Sequence, residues 1–234
     1  MESRNTFKSQ FERLRNKEKT LRARIAAMEY YLYEEDRESY FQQALLIEEC
    51  AEQLTLAART LPSYIGHPDA EGQVEAILKQ EIPVEIGYTK EGWFSVRIPM
   101  LLPKKSKGST DYIRSFLYPA MRDFFVEKPP VRYREAVLIY RHVYDRRRPE
   151  RQMRDHDNIE VNMVSDTIAM YVLNDDAPMC CNHFYCSAAS TWERTEVYVV
   201  PVQDFPQWLA QEHLIPDKGV MLREYPGSRG QKHM

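Results

Sequence analysis

Apolar residues in the first 32 positions recur at intervals of three, four or seven, with Glu18 in the one gap. This heptad seam predicts a helix that packs against a partner, either another copy or the body of the protein. Helical spacing blurs near residue 33 and resumes at residue 41. No Gly or Pro precedes Pro62. Residues 1–61 are therefore predicted to form a helical, coiled-coil arm, as one rod of about 80 Å or as two helices joined by a tight break. The seam consists of Phe7, Phe11, Leu14, Leu21, Ile25, Met28 and Leu32.

The pattern changes after Pro62 to short elements that alternate in type. A linker with a short helix, residues 62–83, leads into two alternating segments around the turn Lys90-Glu91-Gly92, which predict a β-hairpin. The apolar run 136–144 predicts a strand, and the stripe in 158–173 predicts a helix. We expect an α+β protein of order β-β-α-β-α-β-β behind the arm, with the domain at 84–215 and a flexible tail at 216–234. The other predicted elements are helices at 110–126 and 205–212 and strands at 181–187 and 196–202, the last two paired as a second hairpin.

Composition places the chain among globular proteins and limits its partners. Hydrophobic residues make up 43% of the 234 positions, which is enough for a core. No apolar run approaches the ~18 residues of a membrane span, and the polar start does not resemble a secretory signal. Three of the four cysteines lie within seven residues, which favours reduced thiols and a cytoplasmic location. The net charge of −3 confines nucleic-acid binding to local patches. One such patch, residues 141–154, holds six arginines.

Acidic residues flank the predicted helix 158–173 on both sides. Asp155 and Asp157 precede it, and Asp175 and Asp176 follow it. Carboxylate oxygens are the ligands that Mg²⁺ (or Mn²⁺) takes, and such an ion activates water against a phosphodiester. A structural interpretation stays open as well. Asp157 lies three residues before Glu160, as in a helix capping box, and the later pair are common turn residues.

The run of a strand, a basic loop, D-x-D-N, an apolar helix, D-D and further strands resembles the RusA-type Holliday junction resolvase family over about residues 93–202. An early strand that ends in a proline-and-lysine loop is also similar. The resemblance implies a homodimeric, Mg²⁺-dependent endonuclease that cuts branched DNA. It implies catalytic roles for Asp155, Asp157 and Asp176, with Asp175 as a further metal ligand. The family usually has a lysine early in the helix, where this chain reads Ile-Glu-Val-Asn at 159–162.

The length of the predicted helix sets a geometric condition on a metal site. Sixteen residues span about 24 Å, so the two acidic pairs of one chain cannot share an ion. A two-fold dimer with antiparallel helices would give two composite sites. Basic residues on two loops are the predicted phosphate contacts. They are Arg146, Arg147, Arg148, Arg151, Arg154, Lys104, Lys105 and Lys107.

Two other functions compete with the nuclease. The absent lysine and the near-neutral charge favour a non-catalytic interaction protein whose residues 1–61 bind a coiled-coil partner. A zinc site from Cys180, Cys181, His183 and Cys186 is the weaker alternative, because these residues are compressed into one predicted strand. Alternate side chains of a strand point to opposite faces.

Overall fold

The computed structural model describes residues 2–106, 108–126, 128, 131–148, 153, 155–175, 177 and 179–226. It divides into two compact units, residues 1–77 and residues 78–234. The first unit is helical, and the second carries a five-stranded mixed sheet with helices. The predicted α+β class and the order of the elements are confirmed.

The N-terminal unit is a helical hairpin. Helix α1, Glu2–Tyr33, and helix α2, Arg37–Thr60, are joined by a tight turn in which Glu35 has a φ of 56°. The two helices run antiparallel, because Lys17 Nζ donates to Gln53 Oε1 at 2.9 Å while Arg24 Nη1 donates to Gln43 Oε1 at 3.5 Å. Helix α1 therefore packs on α2 of the same chain, although Phe11, Ile25 and Leu32 of its seam remain exposed. A single rod of 80 Å is wrong, and the two-helix alternative is correct.

Two short helices follow the hairpin along the chain. A 3-10 helix, Leu61–Tyr64, occupies part of the predicted linker, and α3, Ala70–Glu81, matches the predicted short helix. Pro62 lies in the first turn of the 3-10 helix, where a missing backbone N–H costs nothing.

Among the described residues, the second unit contains a five-stranded sheet and three further α-helices. The elements are β1 Glu85–Tyr88, β2 Phe94–Ile98, α4 Ser109–Phe125, β3 Ala136–Asp145, α5 Asn162–Val172, β4 Cys181–Ser190, β5 Arg194–Pro201 and α6 Phe205–Gln211. The sheet has the strand order β1-β2-β5-β3-β4. Strands β1 and β2 form the predicted hairpin, and among these five strands β3 and β4 are the parallel pair. The crossover from β3 to β4 contains α5.

Strands β4 and β5 do not pair, contrary to the predicted second hairpin. Strand β3 lies between them, so that Leu138 faces His183 on one side and Val199 on the other. The reason is burial. Strand β3 is buried along nearly its whole length, which suits a central strand covered on both faces. Strand β4 has many exposed positions and forms the sheet edge.

The two faces of the sheet have different contents, and we call them the α5 face and the α6 face. On the α5 face, the Tyr140 hydroxyl bonds Ser165 of α5 at 2.7 Å. On the α6 face, Ile139, Tyr198 and Trp208 belong to one buried apolar cluster. Residues on β3 alternate between these faces, as a strand requires.

The segment after α6 returns across the sheet. Tyr88 and Arg223 exchange two backbone hydrogen bonds of 2.8 and 2.9 Å. Gly87 makes this approach possible, since a Cβ there would lie 2.6 Å from the Arg223 carbonyl oxygen. The sequence predicts a flexible tail from residue 216 onward, whereas the structure packs residues 216–223 against the sheet.

Candidate metal and nucleic-acid site

The D-x-D-N segment lies at the carboxyl end of β3 and β4. It forms a one-turn 3-10 helix, His156–Asn158, in which the Asn158 N–H donates to the Asp155 carbonyl oxygen at 3.1 Å. His156 Nε2 and Ser187 Oγ of β4 are hydrogen-bonded at 3.0 Å, and the His156 ring centroid is 5.5 Å from that of His142 on β3. These contacts anchor the segment while the side chains of Asp155 and Asp157 remain exposed.

The predicted lysine loop lies directly against this acidic segment. The Lys105 N–H donates to the Asn158 carbonyl oxygen at 2.8 Å, and Lys104 forms an isolated bridge with Ile159. Both lysine side chains are exposed. The structure therefore brings together two parts of the predicted site that are about fifty residues apart in sequence. Lys107 lies outside the described residues.

Because residues 158–160 pair with the lysine loop, α5 begins later in the sequence than predicted. Residues 159–160 are held extended against the lysine loop, because the Glu160 N–H donates to the Pro103 carbonyl oxygen at 2.9 Å. Helix α5 consequently begins at Asn162, four residues later than predicted. Buried Glu160 accepts from the Asn162 N–H at 3.1 Å and from Ser109 Oγ at 3.4 Å. Asp157 is therefore not the N-cap of α5, and the capping-box interpretation is wrong.

Asp175 lies at the other end of the crossover. Its Oδ1 accepts from the Ala177 N–H at 3.1 Å, and the preceding Asn174 N–H donates to the Tyr133 carbonyl oxygen before β3 begins. The eleven residues of α5 span about 16 Å, so this carboxylate is well separated from the D-x-D-N segment. Asp176 lies outside the described residues. No group of three or more His, Cys, Asp or Glu among the described residues could hold a metal ion within one chain.

Three arginines of the basic loop make ion pairs with acidic neighbours. Arg146 pairs with Asp217 at 2.8 Å, and Arg148 Nε pairs with Glu193 at 2.5 Å. The side-chain hydrogen bond from Arg147 holds the pKa of Asp145 down at about 2. These pairs are at least partly exposed and therefore weak, so a phosphate group can compete for the guanidinium. The structure does not describe Arg151 and Arg154.

Arg141 does not belong to the basic surface patch to which the sequence analysis assigned it. It is buried on the α6 face, where its Nη1 donates to Glu196 at 3.2 Å and its Nε to Glu212 at 2.8 Å. Glu196 also accepts from Arg194 Nε at 2.6 Å and from the Tyr198 hydroxyl at 2.8 Å. This network was not predicted from the sequence. The two charged residues Arg194 and Glu196, which lie two positions apart before the apolar run of β5, could have indicated it.

The cysteine cluster does not converge on one face. His183 contacts Tyr140 on the α5 face, whereas Cys186 packs with the apolar cluster of the α6 face. Burial raises the pKa of the Cys186 thiol to about 12, so this thiol is not a thiolate at neutral pH. The geometry therefore does not support a zinc site made from these strand residues.

A cavity of about 430 Å³ opens on the α6 face, away from the acidic segment. Aromatic side chains of Trp93, Tyr198 and Trp208 line it, with Lys90 and Arg223 among its polar residues. This cavity was not predicted from the sequence, because its walls come from four separate stretches of the chain. It shares no residue with the predicted metal site.

The comparisons with known proteins give a family but no characterised relative. Neither the curated proteins nor the solved structures contain a match. Among the described residues, no helix is long and apolar enough to cross a membrane. None of these findings tests the RusA resemblance, which stays a prediction. The sequence matches DUF6100, described as a family of unknown function, over residues 2–222, and the chain therefore belongs to the DUF6100 family.

Proposed function

We propose that this protein is a Mg²⁺-dependent endonuclease that hydrolyses phosphodiesters in branched DNA. The observation that carries the proposal is the anchored D-x-D-N segment with the lysine loop bonded to it. Asp155 and Asp157 are exposed on a short turn. This turn contacts β3 and β4 through the His156 side chain and the loop 103–105 through a backbone hydrogen bond. Preorganised carboxylates at a strand end are what a hard cation requires.

In the proposed reaction the D-x-D-N carboxylates of one copy and the aspartates that follow α5 in a second copy would hold the cation. When bound, it would supply polarisation of the phosphodiester and activation of a water, whose oxygen would bond to phosphorus as the P–O bond to the leaving sugar oxygen breaks. Because α5 separates Asp175 from the D-x-D-N segment by about 16 Å, the proposal brings the two acidic ends together from two chains. A homodimer accordingly forms part of the proposal.

The exposed lysines supply the positive charge that the acidic segment lacks. Lys104 and Lys105 flank the D-x-D-N turn through backbone bonds, so their ammonium groups are available to neutralise a bound phosphate. We propose that they compensate for the absence of a lysine at the start of α5. Arg146, Arg147 and Arg148 would contact the backbone further along after exchanging their carboxylate partners for phosphates.

Cleavage of a synthetic four-way DNA junction in the presence of Mg²⁺ tests this function. We expect cleavage by the wild type and loss of at least about a hundredfold in rate for Asp157→Asn, since the loss of one charged ligand removes metal-supported charge stabilisation. Asp166→Asn is the matched control, because Asp166 is an equally exposed aspartate on α5. An inactive wild type, or equal rates for both variants, would remove the nuclease proposal.

A second candidate function is protein–protein interaction through the helical hairpin. Among the described side chains from residue 6 to residue 69, none is buried, and Phe11, Ile25 and Tyr33 are exposed apolar positions. Two helices alone bury only one stripe each, so an additional partner would add stability. Ile25→Lys should then weaken self-association in light scattering, whereas Arg22→Lys should not. Unchanged association in both variants would argue against this candidate.

A further inference from the structure

Among the described residues, no strand pairs with the outer edge of β4, and we infer that this edge is an interface between two copies of this chain. Strand β4 of one copy pairs antiparallel with β4 of the second copy to give a continuous ten-stranded sheet. The partner copy then contributes Asp175 to the acidic site. The inference that the edges pair depends on the features of β4 alone. The inference that pairing completes the acidic site rests on the proposed function.

Strand β4 lacks the features that protect an edge from pairing. Its ten residues, Cys181–Ser190, contain no Lys, Arg, Asp, Glu, Pro or Gly. The opposite edge, β1, has four residues, begins with Glu85 and ends where Tyr88 is bridged by Arg223. Natural sheets shorten, charge or cover their edges to prevent association. A long, uncharged and exposed edge therefore indicates a partner strand.

Two hydrogen bonds show which backbone N–H and C=O groups of β4 point away from β3. The carbonyl oxygens of Cys180 and Ser190 accept from β3-side N–H groups, at 2.9 Å from Ala136 and 2.8 Å from Arg146. Alternate residues of a strand direct their backbone groups to opposite sides. Even-numbered positions of β4 therefore bond to β3, and odd-numbered positions from 181 to 189 face outward.

The second copy is the occupant that matches this pattern. Two identical strands related by a two-fold axis perpendicular to the sheet run antiparallel, and a two-fold closes the assembly. Outward positions must face outward positions, so odd residues oppose odd residues. Pairing centred on Tyr185 places Tyr185 against Tyr185 of the second copy, and His183 against Ser187 of the second copy. The Cys181 N–H is already bonded to the Ala177 carbonyl oxygen, so the exchanged hydrogen bonds involve positions 183 to 187.

This pairing joins the two halves of the acidic site. The Cys181 N–H donates to the Ala177 carbonyl oxygen at 3.0 Å, and Asp175 accepts from the Ala177 N–H, so Asp175 is tied to the amino end of β4. His156 ties the D-x-D-N segment to Ser187 near the carboxyl end. Antiparallel pairing brings the amino end of one β4 beside the carboxyl end of the other.

The helices satisfy the same geometry. In a continuous sheet whose two-fold axis is perpendicular to its plane, both α5 helices lie on the same face. Each α5 runs opposite to its own β4, as a parallel crossover requires, so the two helices are antiparallel to each other. Asp155 and Asp157 of one copy then approach the residues that follow α5 in the other. The sequence predicted antiparallel helices, and the edge strand supplies a surface that produces them.

Multi-angle light scattering of the full-length chain tests the interface. We expect the wild type to have twice the chain mass of 27.7 kDa. His183→Pro removes one outward N–H without removing a bond to β3, and His183→Lys places a charge on the edge. We expect each to weaken dimerisation at least about tenfold. His183→Thr retains the N–H and is the matched control. Circular dichroism verifies that each variant is folded.

The outcomes separate the interface from the nuclease. A monomeric wild type, or folded Pro and Lys variants that dimerise as tightly as His183→Thr, overturns the edge pairing. A dimeric wild type whose Pro and Lys variants are monomeric supports it, even if no junction is cleaved, and in that case only the proposed function fails. Cleavage by a monomeric His183→Lys chain at the wild-type rate overturns the composite site.

Discussion

Replacing Glu196 with glutamine tests the buried ion pairs that stabilise the α6 face. Glu196 is 1% exposed and accepts from Arg194 Nε at 2.6 Å and Arg141 Nη1 at 3.2 Å. Glutamine preserves the side-chain length but removes the charge, so both buried guanidinium groups lose a shared counter-ion. Breaking a buried pair from one side costs about 3–5 kcal/mol, because the remaining charge is uncompensated. We expect the free energy of unfolding to fall by that amount.

Urea denaturation followed by tryptophan fluorescence measures this loss. All three tryptophans, Trp93, Trp192 and Trp208, lie in the unit 78–234, so the signal reports that unit alone. With an m-value of about 2 kcal/mol/M, the midpoint should fall by about 2 M. Glu193→Gln is the control, since Glu193 pairs with Arg148 in a partly exposed position and should contribute less than about 1 kcal/mol. Equal midpoints for the two variants would refute the reasoning.

Three further predictions concern the loop, the returning segment and the arm. The pKa of Asp145 is lowered to about 2, so its contribution to stability is present above its unfolded pKa near 3.8 and is lost as pH falls toward 2. Arg147→Gln should flatten this dependence of unfolding free energy on pH, measured by denaturation at several pH values. The same pH dependence in wild type and variant would argue against the ion pair. Gly87→Ala should destabilise the sheet unit by about 1–3 kcal/mol through its clash with the Arg223 carbonyl, whereas Gly72→Ala in α3, with open space around it, should not. Asp36→Ala should lower the melting temperature of the hairpin, since Asp36 caps α2 by accepting from the Ser39 N–H, and an unchanged melting temperature would contradict this role.

Local patterns were sufficient for most elements of this fold. The alternating segments around Lys90-Glu91-Gly92 form the β1–β2 hairpin, and the apolar run from Ala136 forms β3. These elements depend on side-chain periodicity and turn chemistry, which are properties of neighbouring residues. The arm was also predicted as helical. Its break at Glu34-Glu35-Asp36 has no Gly or Pro and was left open between one helix and two.

Long-range pairing is where the sequence was insufficient. The predicted strands 181–187 and 196–202 follow each other along the chain with a polar loop between them, which favoured a hairpin. Strand β3 nevertheless lies between β4 and β5, because its nearly continuous burial requires the sheet centre. Likewise, residues 159–160 have helical spacing but pair with the loop 103–105 instead. Arg141 was grouped with surface arginines because its buried partners, Glu196 and Glu212, are distant in sequence.

The candidate site was predicted in its parts but not in its assembly. The aspartates were identified by their spacing, and the structure places Asp155 and Asp157 on an anchored turn beside the lysine loop. The shortened α5 still separates Asp175 from that turn. In the proposed assembly a second chain joins them, and a single sequence contains no direct signal for the surface between two copies.

Mixing two inactive variants measures the central claim most directly. Asp157→Asn and Asp176→Asn each remove one half of both composite sites in their own homodimers. After the chains are mixed and allowed to reassociate, half of the dimers are heterodimers, and each contains one intact and one doubly altered site. We predict that junction cleavage with Mg²⁺ returns to about a quarter of the wild-type rate, while each variant alone stays inactive. A mixture that remains inactive, although mass analysis shows heterodimers, would contradict the composite site.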